Sequence, residues 1–81
     1  MTKRSELVDN ARAEALFVSR IPTGTTPSRA EATEAIRLAV RGCHGTRGCA
    51  AAMATAYGDS PETASVRMRW ARDVVLTVYA R

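Results

Sequence analysis

The stretch Gly42-Cys43-His44-Gly45-Thr46-Arg47-Gly48-Cys49 gathers both cysteines and the single histidine of the chain. Thiolate and imidazole are zinc ligands, and two thiols can also join as a disulfide. Three ligands do not complete a structural zinc site, no fourth stands nearby, and the gap between the cysteines misses the short Cys-x-x-Cys spacing. Cys49 reads as a small core residue and Cys43 as part of a glycine-rich turn. Cys43 and Cys49 stand as a candidate redox pair, and no metal or other cofactor is expected. His44 has no neighbouring acid to form a dyad, and no nucleophile motif or phosphate loop occurs, so no enzyme activity is expected.

A second chemistry lies in Gly58-Asp59-Ser60-Pro61-Glu62-Thr63-Ala64-Ser65-Val66-Arg67-Met68-Arg69-Trp70-Ala71-Arg72. A glycine ending one helix, a serine capping the next and a proline at its first position spell the corner of a helix-turn-helix. The helix beyond carries three arginines, as does a helix offered to a DNA groove. There its first turns face the bases, so Glu62, Ser65, Val66 and Arg69 are the base-contacting candidates. Arginine reads guanine through two parallel hydrogen bonds, glutamate accepts from cytosine, and valine packs on a thymine methyl. Arg47, Ser60, Thr63, Arg67 and Arg72 are placed for phosphates. Val66, Trp70 and Val74 form a separate apolar line, read either as packing under the first helix or as a partner surface that builds a homodimer.

Four helices must position these groups. The first runs from about Ser5, its cap, to Ser19, with Leu7, Ala11, Ala15 and Val18 as its apolar stripe, broadened by Leu16 and Phe17. Pro22 and Gly24 then break the chain, and residues 21–26 are expected to be a flexible linker. The second helix starts near Pro27 or Ser28, where Ser28 and Glu31 fit a capping box, and ends at Arg41 with Gly42 as a left-handed stop. Its buried face is Ala32, Ile36, Ala39 and Val40. The third, from Thr46 or Arg47 to Tyr57, carries Cys49, Ala52, Met53, Ala56 and Tyr57 on one side. The fourth runs from Pro61 to Tyr79 over an inward stripe of Ala64, Met68, Ala71, Val75 and Val78. The fold class is therefore all-α: one small four-helix domain over residues 1–81, with a helix-turn-helix unit at residues 46–79.

Residues 46–72 resemble sigma factor region 4. That family's recognition segment commonly reads Gly-x-Ser-x-x-Thr-Val-x-x-Arg-Leu-x-Arg-Ala-Arg. Gly58, Ser60, Thr63, Arg67, Ala71 and Arg72 match it, and Met68 stands for its leucine. Met53-Ala54-Thr55-Ala56-Tyr57 is similar to the family's Ile-Ala-x-x-Leu. The same turn also resembles that of LuxR-type C-terminal domains. Ala64 replaces a larger valine, Trp70 stands where arginine is usual, and Ala52 stands where an acid is usual. At this length no room is expected for the sigma region that engages polymerase. The resemblance thus implies a stand-alone regulator that binds double-stranded DNA, or a fold kept while its partner changed.

Charge separates the chain into halves. Residues 1–36 balance five bases against five acids, whereas residues 37–81 hold seven arginines and three acids, the whole of the net +4. Clustered positive charge attracts a polyanion. No secretory or membrane-spanning run occurs, so a cytoplasmic protein with reduced thiols and no membrane partner is expected. The leading expectation is a small DNA-binding transcription regulator. The alternative is a helical interaction module or adaptor that binds a sigma factor, RNA polymerase or its own copy.

Overall fold

The computed structural model describes residues 3–80, with side chains from residue 6 onward. The described residues form four helices and no strand: α1 (Lys3–Val18), α2 (Arg29–Gly42), α3 (Thr46–Asp59) and α4 (Pro61–Val78). The all-α expectation holds. α1 begins at Lys3, two residues before the expected start, so Ser5 lies inside the helix and not at its cap position.

α1 is central, packing most extensively on α4 and then on α3 and α2. Its buried face is Ala13, Ala15, Leu16 and Phe17. Of the expected stripe Ala15 is buried, as are Leu16 and Phe17 beside it, whereas Ala11 and Val18 are half-buried and Leu7 is 67% exposed. The large side chains Leu16 and Phe17 set the rotation of the helix, and Phe17 stacks on Tyr57 with ring centroids 6.0 Å apart.

The capping box of α2 forms in both directions: Glu31 N donates to Ser28 Oγ (3.1 Å) and Ser28 N to Glu31 Oε1 (2.8 Å). Of its expected buried face only Ala32 is fully buried; Ile36, Ala39 and Val40 are half-buried. Gly42 is helical and does not provide the stop. The left-handed residues are His44 (φ 59°) and Gly45 (φ 119°), which return the chain so that Gly45 N meets Val40 O at 2.8 Å. Gly45 also precedes α3 as its cap, in place of Thr46.

The corner between α3 and α4 is a single residue. Gly58 lies inside α3, whose helix runs on to Asp59, and Ser60 alone joins it to α4. The Ser60 hydroxyl caps nothing; its N–H completes the α3 ladder on Ala56 O and its carbonyl accepts from Ala64 N, both at 2.9 Å. Because one residue serves both ladders, no left-handed glycine is needed. A helix-turn-helix turn takes roughly three to four residues, so this corner is tighter. Pro61 occupies the first turn of α4 as expected, and Ala64, Met68, Ala71 and Val75 form its buried stripe.

Two side chains of α4 reach the segment expected to be a flexible linker, residues 21–26. Trp70 Nε1 donates to Thr25 O (2.9 Å), Arg67 reaches Thr23 Oγ1 (2.8 Å), and Pro27 is buried. At the far end of α4, Tyr79 is buried, shares a 2.6 Å hydrogen bond with Thr33, and lies under the guanidinium of Arg12, 4.0 Å from the ring centroid. Among the described residues no helix is long and apolar enough to cross a membrane.

Candidate interaction surface

α4 presents two faces of different chemistry. Ala64, Met68, Ala71 and Val75 point inward at helical spacing, and Trp70 and Val74 are buried beside them. The opposite arc is open from end to end: Glu62, Ser65, Val66, Arg69, Arg72, Asp73, Leu76 and Thr77 are all exposed. The four residues expected to contact bases, Glu62, Ser65, Val66 and Arg69, therefore share one uncovered face. Ser60, Thr63 and Arg47 are exposed as well.

Arg67 does not join them. Its Nε donates to Phe17 O, NH1 to Thr23 Oγ1, and NH2 to Leu16 O (3.2 Å) and Ser19 O (2.9 Å). A helix leaves its last four carbonyls without intrahelical partners, and a cation there also meets the negative end of the dipole. Arg67 thus caps α1 from another helix, with the Trp70 ring 4.9 Å and the Phe17 ring 5.9 Å away. Burial pushes its pKa below the usual arginine value. A guanidinium held by these acceptors is not free to meet a phosphate, which corrects its expected role. Sequence reading missed the capping because it links residues far apart in the chain.

Trp70 and Val74 are likewise withdrawn from the expected partner surface. Both are buried, and the indole N–H is satisfied by Thr25 O. Of that apolar line only Val66 is outside, at 54% exposure, and it shares the open arc with Leu76 at 65%. Leu76 was not singled out from sequence; its position ten residues after Val66, on the arc away from Met68 and Val75, was the available signal.

Charge on the open arc balances. Glu62 and Asp73 offset Arg69 and Arg72. The leading end of α4 is acidic, since no base occurs from Gly48 to Val66 while Asp59 and Glu62 flank the corner. The unopposed bases lie elsewhere: from Ala35 to Gly58 there is no acid, and Arg41 and Arg47 are exposed at the turn between α2 and α3.

The cysteines belong to the same turn. Cys49 is 1% exposed and its thiol points to Ala39 O at 3.6 Å; Cys43 is half-buried, and both are free thiols. Burial, then the hydrogen bond and charge of Cys43, then the charge of Glu14, push the Cys49 pKa up to about 12. A thiol that holds its proton so firmly is a poor nucleophile. No three metal-binding side chains come together among the described residues. Compared with protein-family models, curated proteins and solved structures, the chain matches none.

Proposed function

We propose that the chain is a helical protein-interaction module whose working surface is the outer face of α4. The carrying observation is the acidic leading end of that helix, with Asp59 and Glu62 and no base from Gly48 to Val66. A recognition helix enters the major groove by its N-terminal turns, between two phosphate strands. Two carboxylates at that end oppose such an approach, and Arg67, the arginine nearest to it, is held by α1.

The same arc suits a protein. Val66 and Leu76 provide apolar anchors roughly 15 Å apart at the helical rise, ringed by Glu62, Arg69, Arg72 and Asp73. Apolar anchors inside a rim of mixed charge fit a groove or an amphipathic helix of another protein. The likeness to sigma factor region 4 makes a sigma factor or RNA polymerase the first partner to test.

A second reading keeps double-stranded DNA as the partner but moves the contact to the turn between α2 and α3. It is favoured by the acid-free run from Ala35 to Gly58 with Arg41 and Arg47 exposed. Arginines there would neutralise phosphates without reading bases.

Photo-crosslinking residues at positions 66 and 76, introduced in cells, test the first reading. A shared protein adduct at both positions supports it, and no adduct at either overturns it. Salt-sensitive binding to duplex DNA, lost in Arg41→Ala/Arg47→Ala, would put the second reading in its place.

A further inference from the structure

One seam of α2 is covered only in part by its own chain: Ala35 is half-buried against the core, while Leu38 beside it is exposed. Ala32 is the one fully buried residue of α2. Along the seam Glu31, Ala35, Leu38 and Gly42 follow at steps of four, three and four, and Leu38 in the middle is 52% exposed. A trough runs beside this seam, made of two hollows of about 700 and 690 Å³ that share Ile21, Pro22, Ala35 and Leu38 as walls. A Cβ placed on Gly42 would meet nothing, so the seam is open at its end.

We propose that this seam is a homodimer interface, with α2 of one copy lying antiparallel on α2 of a second copy and Leu38 of each seated over Ala35 of the other. The occupant follows from the pattern of size and charge. A two-fold axis between residues 36 and 37 places Leu38 against Ala35 and Glu31 against Gly42, a large side chain facing a small one at each level. Both copies make the same contacts, as an isologous interface requires.

Charge selects the direction. Glu34 and Arg41 lie on the same flank of the seam, two turns apart. In the antiparallel register Arg41 of each copy comes within about a turn of Glu34 of the other, giving two opposite-charge pairs by symmetry. A parallel two-fold pair would put the flanks that carry Glu34 and Arg41 on opposite sides of the seam, where neither pair forms. Arg41 has no acid partner among the described residues. Glu34 is held by Arg37 through one hydrogen bond to each oxygen (3.0 and 2.6 Å), and each oxygen has a further lone pair to offer. The antiparallel arrangement also opposes the two helix dipoles. This seam is separate from the outer arc of α4, so either surface can be lost without the other.

Sedimentation equilibrium of the full chain, from micromolar to about millimolar concentration, measures the association. The expected result is a reversible monomer–dimer equilibrium that Leu38→Glu weakens by about 100-fold or more and Arg41→Glu by roughly 10-fold. Because two-fold symmetry restores both pairs at once, Glu34→Arg/Arg41→Glu should return to within about 3-fold of the parent. Leu38 is exposed, and circular dichroism checks that each variant stays folded. A chain that is monomeric throughout, a dimer indifferent to Leu38→Glu, or a double charge reversal as weak as Arg41→Glu would each overturn the proposal.

Discussion

Arg67 of α4 donates its Nε hydrogen to the carbonyl of Phe17 in α1, fifty residues earlier in the chain. Through the same guanidinium it holds Leu16 O, Ser19 O and the Thr23 hydroxyl. One side chain therefore braces the end of α1 and the loop that leaves it, together with Ser19, whose N–H (3.1 Å) and hydroxyl (2.6 Å) also bond Leu16 O. Hydrogen bonds from a charged donor are worth roughly 1.5–3 kcal/mol each in net terms. Arg67→Ala should thus cost about 3 kcal/mol, a large part of the stability of a small domain. Arg67→Lys should recover less than half, because an ammonium cannot span this set of acceptors as a planar fork does. Urea unfolding followed by circular dichroism measures both. A cost under about 0.5 kcal/mol for Arg67→Ala, the range of an ordinary surface substitution, would refute the capping role.

Trp70 ties the same loop from the other side through its 2.9 Å bond to Thr25 O. Trp70→Phe keeps a buried ring but leaves that carbonyl unmatched. The expected cost is about 1 kcal/mol. Amide exchange in residues 22–28 should accelerate more than exchange in α3. Equal acceleration across the domain would mean that the ring, not the N–H, carries the contribution of Trp70.

Two glycines respond to alanine in opposite ways. Gly58 is helical with nothing within 4 Å of an added Cβ, so Gly58→Ala should stabilise by roughly 0.5–1 kcal/mol. A Cβ on Gly48 would instead stand 1.8 Å from Cys43 O. Gly48→Ala must push the turn between α2 and α3 apart and should destabilise by more than 1 kcal/mol, on the order of other backbone clashes. Thermal unfolding of the two variants side by side decides the point. A destabilising Gly58→Ala would indicate a left-handed turn at that position.

Local signals explain which parts of this fold could be read from sequence. The capping box at Ser28 and Glu31, the proline at the start of α4 and the stripe from Ala64 to Val75 all depend on residues within one or two turns of each other. Arg67 and Trp70 could not be placed that way. Arginines two residues apart, Arg67 and Arg69, look alike in sequence, yet one faces the α1 terminus and the other faces solvent. That difference is set by the rotation of α4 against α1. Leu7 and Val74 show the same limit, since an apolar residue reports which helix face is apolar and not whether another element covers it. Gly58 and Gly42 misled for a related reason: glycine permits a left-handed conformation without requiring it.

The two thiols should react separately. With its pKa pushed from the ordinary 9.0 to about 12, Cys49 stays protonated across the working range of most alkylating reagents. Cys43, which is half-buried, should label in the native domain, and Cys49, which is buried, only as fast as the domain unfolds. The linkage has a definite sign. A raised folded pKa contributes stability that is complete below 9.0 and is lost as pH rises from 9.0 towards about 12. Cys49→Ala should therefore flatten the alkaline limb of the stability profile. Native labelling of Cys49 at the rate of Cys43 would contradict its burial.

At the acidic end the capping box of α2 is the element to watch. Accepting the Ser28 backbone N–H, and next its hydroxyl, holds the Glu31 carboxyl below its ordinary 4.5, and a hydrogen bond from Arg37 does the same for Glu34. A lowered folded pKa contributes stability that is present above 4.5 and is lost as pH falls through the lower folded value. The start of α2 should accordingly fray in acid before α1 or α4, seen as early loss of amide protection at residues 29–32. Glu31→Gln retains an acceptor that can complete the box but cannot titrate, so its helix start should hold to lower pH. Added salt should weaken the exposed Glu34–Arg37 pair more than the hydrogen-bonded cap. If Glu31→Gln frays at the same pH as the parent, the acid sensitivity of α2 belongs to Glu34.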